Sequence, residues 1–379
     1  MSSIESVPSM NAAVLTIMAT REQDQNLVAQ VANRFGGKQI EADKGPENST
    51  GHIVPSFGWH PWFSYQLFDD SDPEACPAEN QDHASWKRCH YKSVLTPPPE
   101  GQEFIDSLPE PTPLSQHLEH TKTRLANHPH ALIGEVGLDR SFRLPNAWAE
   151  TDDASRDESR TPGGREGRRL SPHRVSPAHQ KRILKAQLHL AGEMQRAVSV
   201  HSVQAHGMVF DTLQETWKGY EKEVVSSTSR KRRGSAARAH DHEDKAEEED
   251  APSQEKNNAA SKPFPPRVCM HSYSGPSEPL KQFLAPSVPT DIYFSFSTTI
   301  NFSKPGSAKA EEVIKIVPAD RLLVESDLHC AGAEMDACLE GIVRKICEIR
   351  GWNLDDGLQR LGRNWREFVY GASRQDSND

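Results

Sequence analysis

Short apolar runs bounded by turn residues recur along the chain at 12–18, 53–60, 131–138, 197–203, 267–273, 291–297 and 321–326, and each reads as a buried strand. Stretches of helical spacing lie between them. Leu27, Val28, Val31 and Phe35 mark a helix over 24–35, and Ile183, Leu184, Gln187, Leu188, Ala191 and Met194 mark another over 179–195. The alternation predicts an α/β fold built on a parallel sheet or barrel. Two closing helices, 336–350 and 354–370, are separated by Gly351, which acts as a helix stop.

Three stretches interrupt this rhythm. Residues 69–113 are rich in Pro, 140–177 mix Arg with acidic residues, and 226–266 run from Arg230-Lys231-Arg232-Arg233 to Glu247-Glu248-Glu249-Asp250. They read as loosely ordered or disordered insertions within a single domain spanning 1–379. The basic tetrad fits a nuclear localisation signal or a solvated loop. A hydrophobic content of 35% with 27 Pro among 379 residues agrees with one core carrying such insertions.

The net charge of −10 argues against a surface that coats polyanions generally, while leaving room for a local basic cleft. No apolar run approaches the ~18 residues of a membrane span, and the residues before Ala12 lack the Lys or Arg of a secretory leader. An intracellular protein is expected, cytoplasmic or nuclear. Six cysteines without a CxxC pair predict reduced thiols and speak against a zinc knuckle or a disulfide framework.

Candidate chemistry sits at the strand ends. Gly58-Trp59-His60-Pro61, Gly134-Glu135-Val136-Gly137-Leu138-Asp139, Val198-Ser199-Val200-His201, Cys269-Met270-His271-Ser272-Tyr273-Ser274-Gly275 and Val324-Glu325-Ser326-Asp327 each close an apolar run with polar groups. In a parallel barrel those ends converge on one face. Singly, a His there could be a hydrogen-bonded cap, Glu135 a turn carboxylate and Asp327 a helix N-cap. Recurrence at five ends points instead to a site. Imidazoles with carboxylates suit zinc, manganese or a similar divalent ion, and hydrolysis is the reaction implied.

At these residues the chain resembles the TatD family of metal-dependent hydrolases, described as deoxyribonucleases of the amidohydrolase superfamily with a TIM-barrel fold. The most specific pieces are Gly58 to Pro61, Gly134 to Asp139, Gln187-Leu188-His189-Leu190-Ala191 leading into Val200-His201, His271 to Gly275, and Glu325 to Asp327. Gly58-Trp59-His60-Pro61-Trp62 and Val200-His201-Ser202-Val203-Gln204 look closest to a fungal branch described as interacting with an anaphase-promoting-complex subunit. The resemblance implies two divalent metal ions (Zn, Mg or Mn). Glu135 would bridge them, His201 and His271 would complete one site, and Asp327 would bind the other ion and orient or deprotonate water. Glu135 and Asp327 are thus the catalytic candidates, His60 would line the substrate pocket, and Asp139 would support the ligands from behind.

Two departures stand out. The family opens with a His-x-His on the first barrel strand, but Met1 to Met10 contains no His and Ala12 to Met18 matches the family's second strand. A first strand is therefore expected to be missing, through a shortened start or loss of a metal site. The second departure is Leu328-His329, where many relatives carry a Pro near the Asp. The expected function is hydrolysis of phosphoester bonds, with DNA the substrate. The alternatives are a catalytically impaired interaction protein on the same barrel, or a hydrolase of small esters or amides.

Overall fold

The computed structural model describes residues 2–36, 52–72, 82–148, 165–224, 262–303 and 307–371. Its centre is a seven-stranded sheet of β1 (Val14–Met18), β2 (His52–Phe57), β6 (Leu132–Asp139), β8 (Val198–Val203), β9 (Arg267–Met270), β10 (Asp291–Phe296) and β11 (Leu322–Val324), in that order. Every pairing is parallel. Helices α1 (Glu22–Phe35), α4 (Leu114–Asn127), α5 (Pro177–Glu193) and α6 (His206–Trp217) and the helices Ser277–Phe283, Ser307–Ile316, Ala333–Arg350 and Leu354–Tyr370 fall between and after these strands. The α/β class with a parallel sheet is as expected, and the sheet is curled into a half-barrel with both edges open. Among the described residues β1 pairs only with β2, and β11 only with β10.

The apolar runs become strands because both faces find cover. Phe57, Ile133, Val136, Val198, Val200, Val268 and Phe294 are each fully buried, the pattern of a parallel sheet shielded by helices. In α5 the residues Ile183, Leu184, Gln187, Leu188 and Ala191 form the buried stripe, with Pro177 in the first turn, where a missing N–H costs nothing. The open edge looks different. All five residues of β1 are only half-buried. They line a cavity of about 2210 Å³ that also touches Leu323 on β11 and Leu358 on the last helix. A short 3₁₀ segment, Ser2–Ser9, covers part of this side, with Val7 packed among Val31, Ala32 and Ile53. Asp336 fastens it by accepting the Asn11 and Ala12 N–H groups.

Several strand limits retreat from those read in the sequence, and the retreat matters. The run at 267–273 ends as a strand at Met270, 321–326 shortens to Leu322–Val324, and 53–60 ends at Phe57. His60, His271 and Asp327 therefore sit on the turns that leave the strands. Part of the 69–113 stretch also differs from a loose insertion: α2 (His83–Val94), β4 (Leu95–Thr96), α3 (Gln102–Ser107) and β5 (Thr112–Pro113) form a packed layer with β3 (Leu67–Phe68), which precedes it. Asp82 caps α2 by accepting the Ser85 N–H, and Tyr91, Val94, Leu95 and Ile105 join a second core with Trp59, Phe63, Leu144 and Val175. Prolines hid this layer, yet Tyr91 and Val94, with Trp86 and His90 beside them, sit at helical spacing.

Residues 140–148 and 165–175 form an antiparallel finger ending in β7 (Arg174–Val175). Residues 149–164, the basic tetrad at 230–233 and the acidic run at 247–250 lie outside the described residues. Cys89 is disulfide-bonded, which corrects the expectation of six reduced thiols. Cys269, Cys330, Cys338 and Cys347 are free. The absence of CxxC excluded only pairs close in sequence. No helix among the described residues is long and apolar enough to cross a membrane.

Candidate metal centre

The Glu135 carboxylate, midway along β6, is the hub of the site. Its Oε1 lies 2.9 Å from His201 Nδ1, 3.4 Å from His60 Nε2 and 3.6 Å from His271 Nε2. His271 Nε2 is in turn 3.2 Å from Asp327 Oδ1, and its Nδ1 is 2.8 Å from Glu325 Oε2. Side chains on or following β2, β6, β8 and β9 thus meet at one carboxylate, and those following β11 join through His271. Ligand atoms of His60, Glu135 and His201 all fall within 4.8 Å of one another, so this group can hold a metal ion.

The backbone around Glu135 has to pass close to its neighbours. Gly137 takes φ +150°, and a Cβ there would stand 2.0 Å from the His201 carbonyl oxygen, so no side chain fits. Asp327 and Ser272 also adopt left-handed backbone (φ 57° and 39°), which is strained for residues with a Cβ and aims their side chains inward. The 3₁₀ turn Pro61–Gln66 places His60 and is itself clamped from behind. Gln187 accepts the Trp59 N–H at 2.8 Å and donates back to the Trp59 carbonyl at 3.2 Å. His90 Nε2 and His179 Nε2 approach the carbonyls of Tyr65 and Ser64 at 2.8 and 2.9 Å.

Asp139 closes the site on the other side. Its Oδ2 accepts from Trp62 Nε1 at 2.5 Å and from His201 Nε2 at 3.0 Å, while Oδ1 accepts the backbone N–H groups of Ser141 and Phe142. The tie at Nε2 leaves His201 Nδ1 facing Glu135. His60 is oriented differently. Its Nδ1 accepts the Trp62 N–H at 3.2 Å, so the proton of the neutral ring sits on Nε2 and points at Glu135. His60 thus stands near the group as a donor, despite its proximity to the candidate ligands.

Charge in the metal-free site follows from these contacts. Burial opposes ionisation of Glu135, but the surrounding imidazoles outweigh it and hold the carboxyl well below its usual range. Asp139 is likewise held low, burial being outweighed by the His201 and Trp62 bonds. Burial also works against charge on His201, yet Asp139 and Glu135 raise its pKa to about 9. His271 is raised well above the ordinary value, against burial, by Glu325 and Glu135. For His60 burial prevails and its pKa falls. Burial also raises the pKa of Asp327.

The structure brings together Glu135, His201, His271, Asp327 and His60, the residues singled out from sequence. Two further partners emerge only from the geometry. Glu325 lies inside a motif already recognised, and it faces both His271 and the Ser272 hydroxyl. Trp62 belongs to the His60 motif, and its indole N–H signals a buried acceptor nearby. His329 lines the same cavity.

An α/β half-barrel whose strand ends present imidazoles and carboxylates offers a group that could hold a metal ion. The profile of a family described as TatD related DNase matches residues 17–369, and the chain belongs to that family. It is 36% identical over 363 residues to the Cut9-interacting protein scn1 of Schizosaccharomyces pombe, covering 96% of this chain and 93% of that protein. It is 25% identical over 300 residues to an uncharacterized deoxyribonuclease of Saccharomyces cerevisiae, covering 78% of this chain and 72% of the other. A TatD family hydrolase from Entamoeba histolytica shares the fold at a TM-score of 0.51 and 12% identity, over 98% of this chain and 90% of that one.

Proposed function

We propose that the protein is a metal-dependent phosphodiester hydrolase acting on DNA. The carrying observation is the convergence of His201 and His271 on Glu135, with Asp327 joined to the group through His271, a set of two imidazoles and two carboxylates. That donor chemistry fits zinc, manganese or magnesium. Glu135, His201 through Nδ1, His271 through Nε2 and Asp327 would hold the metal. A bound divalent ion supplies Lewis acidity and brings the pKa of water toward neutrality.

The protein's own groups account for the rest. Glu135 stays ionised and fixes the imidazole nitrogens on either side of it. Asp139 and Glu325 hold His201 and His271 from behind, so neither ring turns away. Asp327, whose pKa burial raises, is suited to accept a proton from attacking water. His60 offers its Nε2 proton to the substrate side of Glu135. The likeness to a protein named for its interaction with Cut9 supports a second role, recognition of a protein partner.

Glu135→Gln keeps the volume and removes the hub charge, and it should abolish hydrolysis while the fold survives. His201→Ala and His271→Ala should lose bound metal as well. Mass spectrometry of metal content beside a DNA cleavage assay checks both, and full metal occupancy with full turnover in all three variants would refute the proposal.

A further inference from the structure

Hydrogen bonds lock the turn between β1 and α1 onto the candidate metal centre. Glu135 donates its N–H to the Ala19 carbonyl at 3.2 Å, and His60 donates its N–H to the Thr20 carbonyl at 2.9 Å. Gln25, only 1% exposed, donates from Nε2 to the Arg21 carbonyl at 3.2 Å and to the Gly58 carbonyl at 2.6 Å. Arg21 ends this turn in extended backbone (φ −155°, ψ 178°) just ahead of α1. The tie at Thr20 keeps the Arg21 Cα within ~6 Å of the His60 nitrogen. Its side chain lines the same cavity as Glu135, His201, His271 and Asp327.

The Arg21 guanidinium is held in place but not satisfied. It lies over the Phe63 ring at 5.0 Å, and the Phe63 N–H donates in turn to the His60 carbonyl at 3.0 Å. Nε is buried and has no hydrogen-bond acceptor among the described residues. Asp24 Oδ2 stands 3.8 Å away, too far for a hydrogen bond, and already accepts from the Thr20 hydroxyl at 2.6 Å and the Thr20 N–H at 3.3 Å. A buried N–H without an acceptor is costly, so packing on Phe63 does not account for this placement. Charge around the site points the same way. Glu135, Asp139, Glu325 and Asp327 gather four carboxylates about the imidazoles, which leaves an incoming anion in need of a positive partner. The other arginines lining the cavity, Arg344, Arg363 and Arg366, belong to the two closing helices. Arg344 is paired with Glu340, and the last helix ends against Arg267 at the start of β9, the far end of the sheet from the site.

We propose that Arg21 receives a non-bridging oxygen of the scissile phosphodiester, with Nε and an Nη group donating side by side. The inference rests on the phosphodiesterase reading for the identity of the anion and adds a substrate-contacting residue to it. A guanidinium fork matches the edge of a phosphate, which an ammonium group does not. Negative charge grows on the phosphoryl oxygens as water attacks, so these bonds strengthen in the transition state and act on turnover more than on substrate affinity. Phe63 and the Gln25 clamp fix the fork before the substrate arrives.

The test compares the full chain with Arg21→Gln, Arg21→Lys, Arg21→Ala and Asp24→Asn. Calorimetric titration with inorganic phosphate in EDTA should show affinity about tenfold or more weaker in Arg21→Gln and unchanged in Asp24→Asn. Metal content of Arg21→Gln should equal the parent's. With metal bound, hydrolysis of bis(p-nitrophenyl) phosphate by Arg21→Gln should fall about 10²–10³-fold in kcat with a much smaller change in KM, and Arg21→Lys should recover only part of the loss. Millimolar guanidinium should restore turnover to Arg21→Ala, whereas urea, which has the same shape without the charge, should not. A parent that binds no phosphate, or Arg21→Gln with the parent's affinity and turnover, overturns the proposal. So does a loss in Asp24→Asn as large as in Arg21→Gln, or rescue by urea as good as by guanidinium, since either makes the role of Arg21 structural. Metal loss in Arg21→Gln would also overturn it, by placing the residue in the upkeep of the metal centre. If the parent does not hydrolyse the diester, the phosphodiesterase reading fails while the phosphate titration still decides whether Arg21 receives the anion.

Discussion

Without metal, the protein should be most stable near pH 6.5 and lose stability on either side. His201 drives the alkaline limb, with a folded pKa of about 9 against an ordinary 6.5. Between those values the folded chain holds a proton that the unfolded chain has released, so stability falls as pH rises. The contribution is complete below the unfolded value and gone above the folded one. At about 1.4 kcal/mol per pH unit, His201 alone accounts for about 3 kcal/mol, and the raised pKa of His271 acts in the same direction. Glu135 and Asp139, both depressed, are ionised in either state across this window and add no slope. The acid limb has the opposite sign. His90, His117, His179 and His206 are pushed down to about 4 by burial, so the unfolded chain binds their protons first as pH drops below 6.5. Urea midpoints in EDTA across this range measure the profile, with His201→Asn expected to flatten the alkaline limb and spare the acid one. At about 2–4 °C per kcal/mol, His201 should move Tm by roughly 6–12 °C. Stability that stays level or rises between pH 6.5 and 9 would refute the charge assignment.

Asp139→Asn should weaken metal binding by roughly 10–100-fold with the fold kept, because only the group behind His201 changes. Calorimetric titration with zinc or manganese reads this, and unchanged affinity would remove Asp139 from the account. Glu135, His201, His271 and Asp327 make up one proposed ligand set, so metal analysis should return close to one tightly bound ion per chain, and two equally tight ions would contradict it. Gly137→Ala should fail to give the native site, since the new methyl would collide with the His201 carbonyl. A native-like melting curve with full metal content in that variant would show that the close approach is not required.

Much of this arrangement is legible in the sequence because it follows from periodicity. Seven apolar runs correspond to the seven strands of the sheet, and the polar groups closing them include Glu135, His201, His271 and Asp327. Positions on turns are harder to read. His60 belongs to the cluster only because Thr20 accepts its backbone N–H and Gln187, 127 residues further on (187 − 60), grips the neighbouring Trp59, and neither tie leaves a periodic trace. The disulfide at Cys89 escapes for a related reason, since spacing rules see pairs close in sequence. The layer around α2 is hidden because prolines mark turns and disorder alike, and the burial of Tyr91 and Ile105 shows it to be packed.

That layer changes how damage to the protein should be interpreted. His90 on α2 meets the carbonyl of Tyr65, and Tyr65 belongs to the same short turn as Trp62. A lesion in α2, far from any ligand in the chain, would slacken the turn that aims His60 and supports Asp139. Its symptom would be poor catalysis in a protein that still folds. A survey of variants that sorted them by distance from Glu135 along the sequence would therefore file such lesions under the wrong heading: the excursion from Asp82 to Leu108 works as a splint for the candidate metal centre.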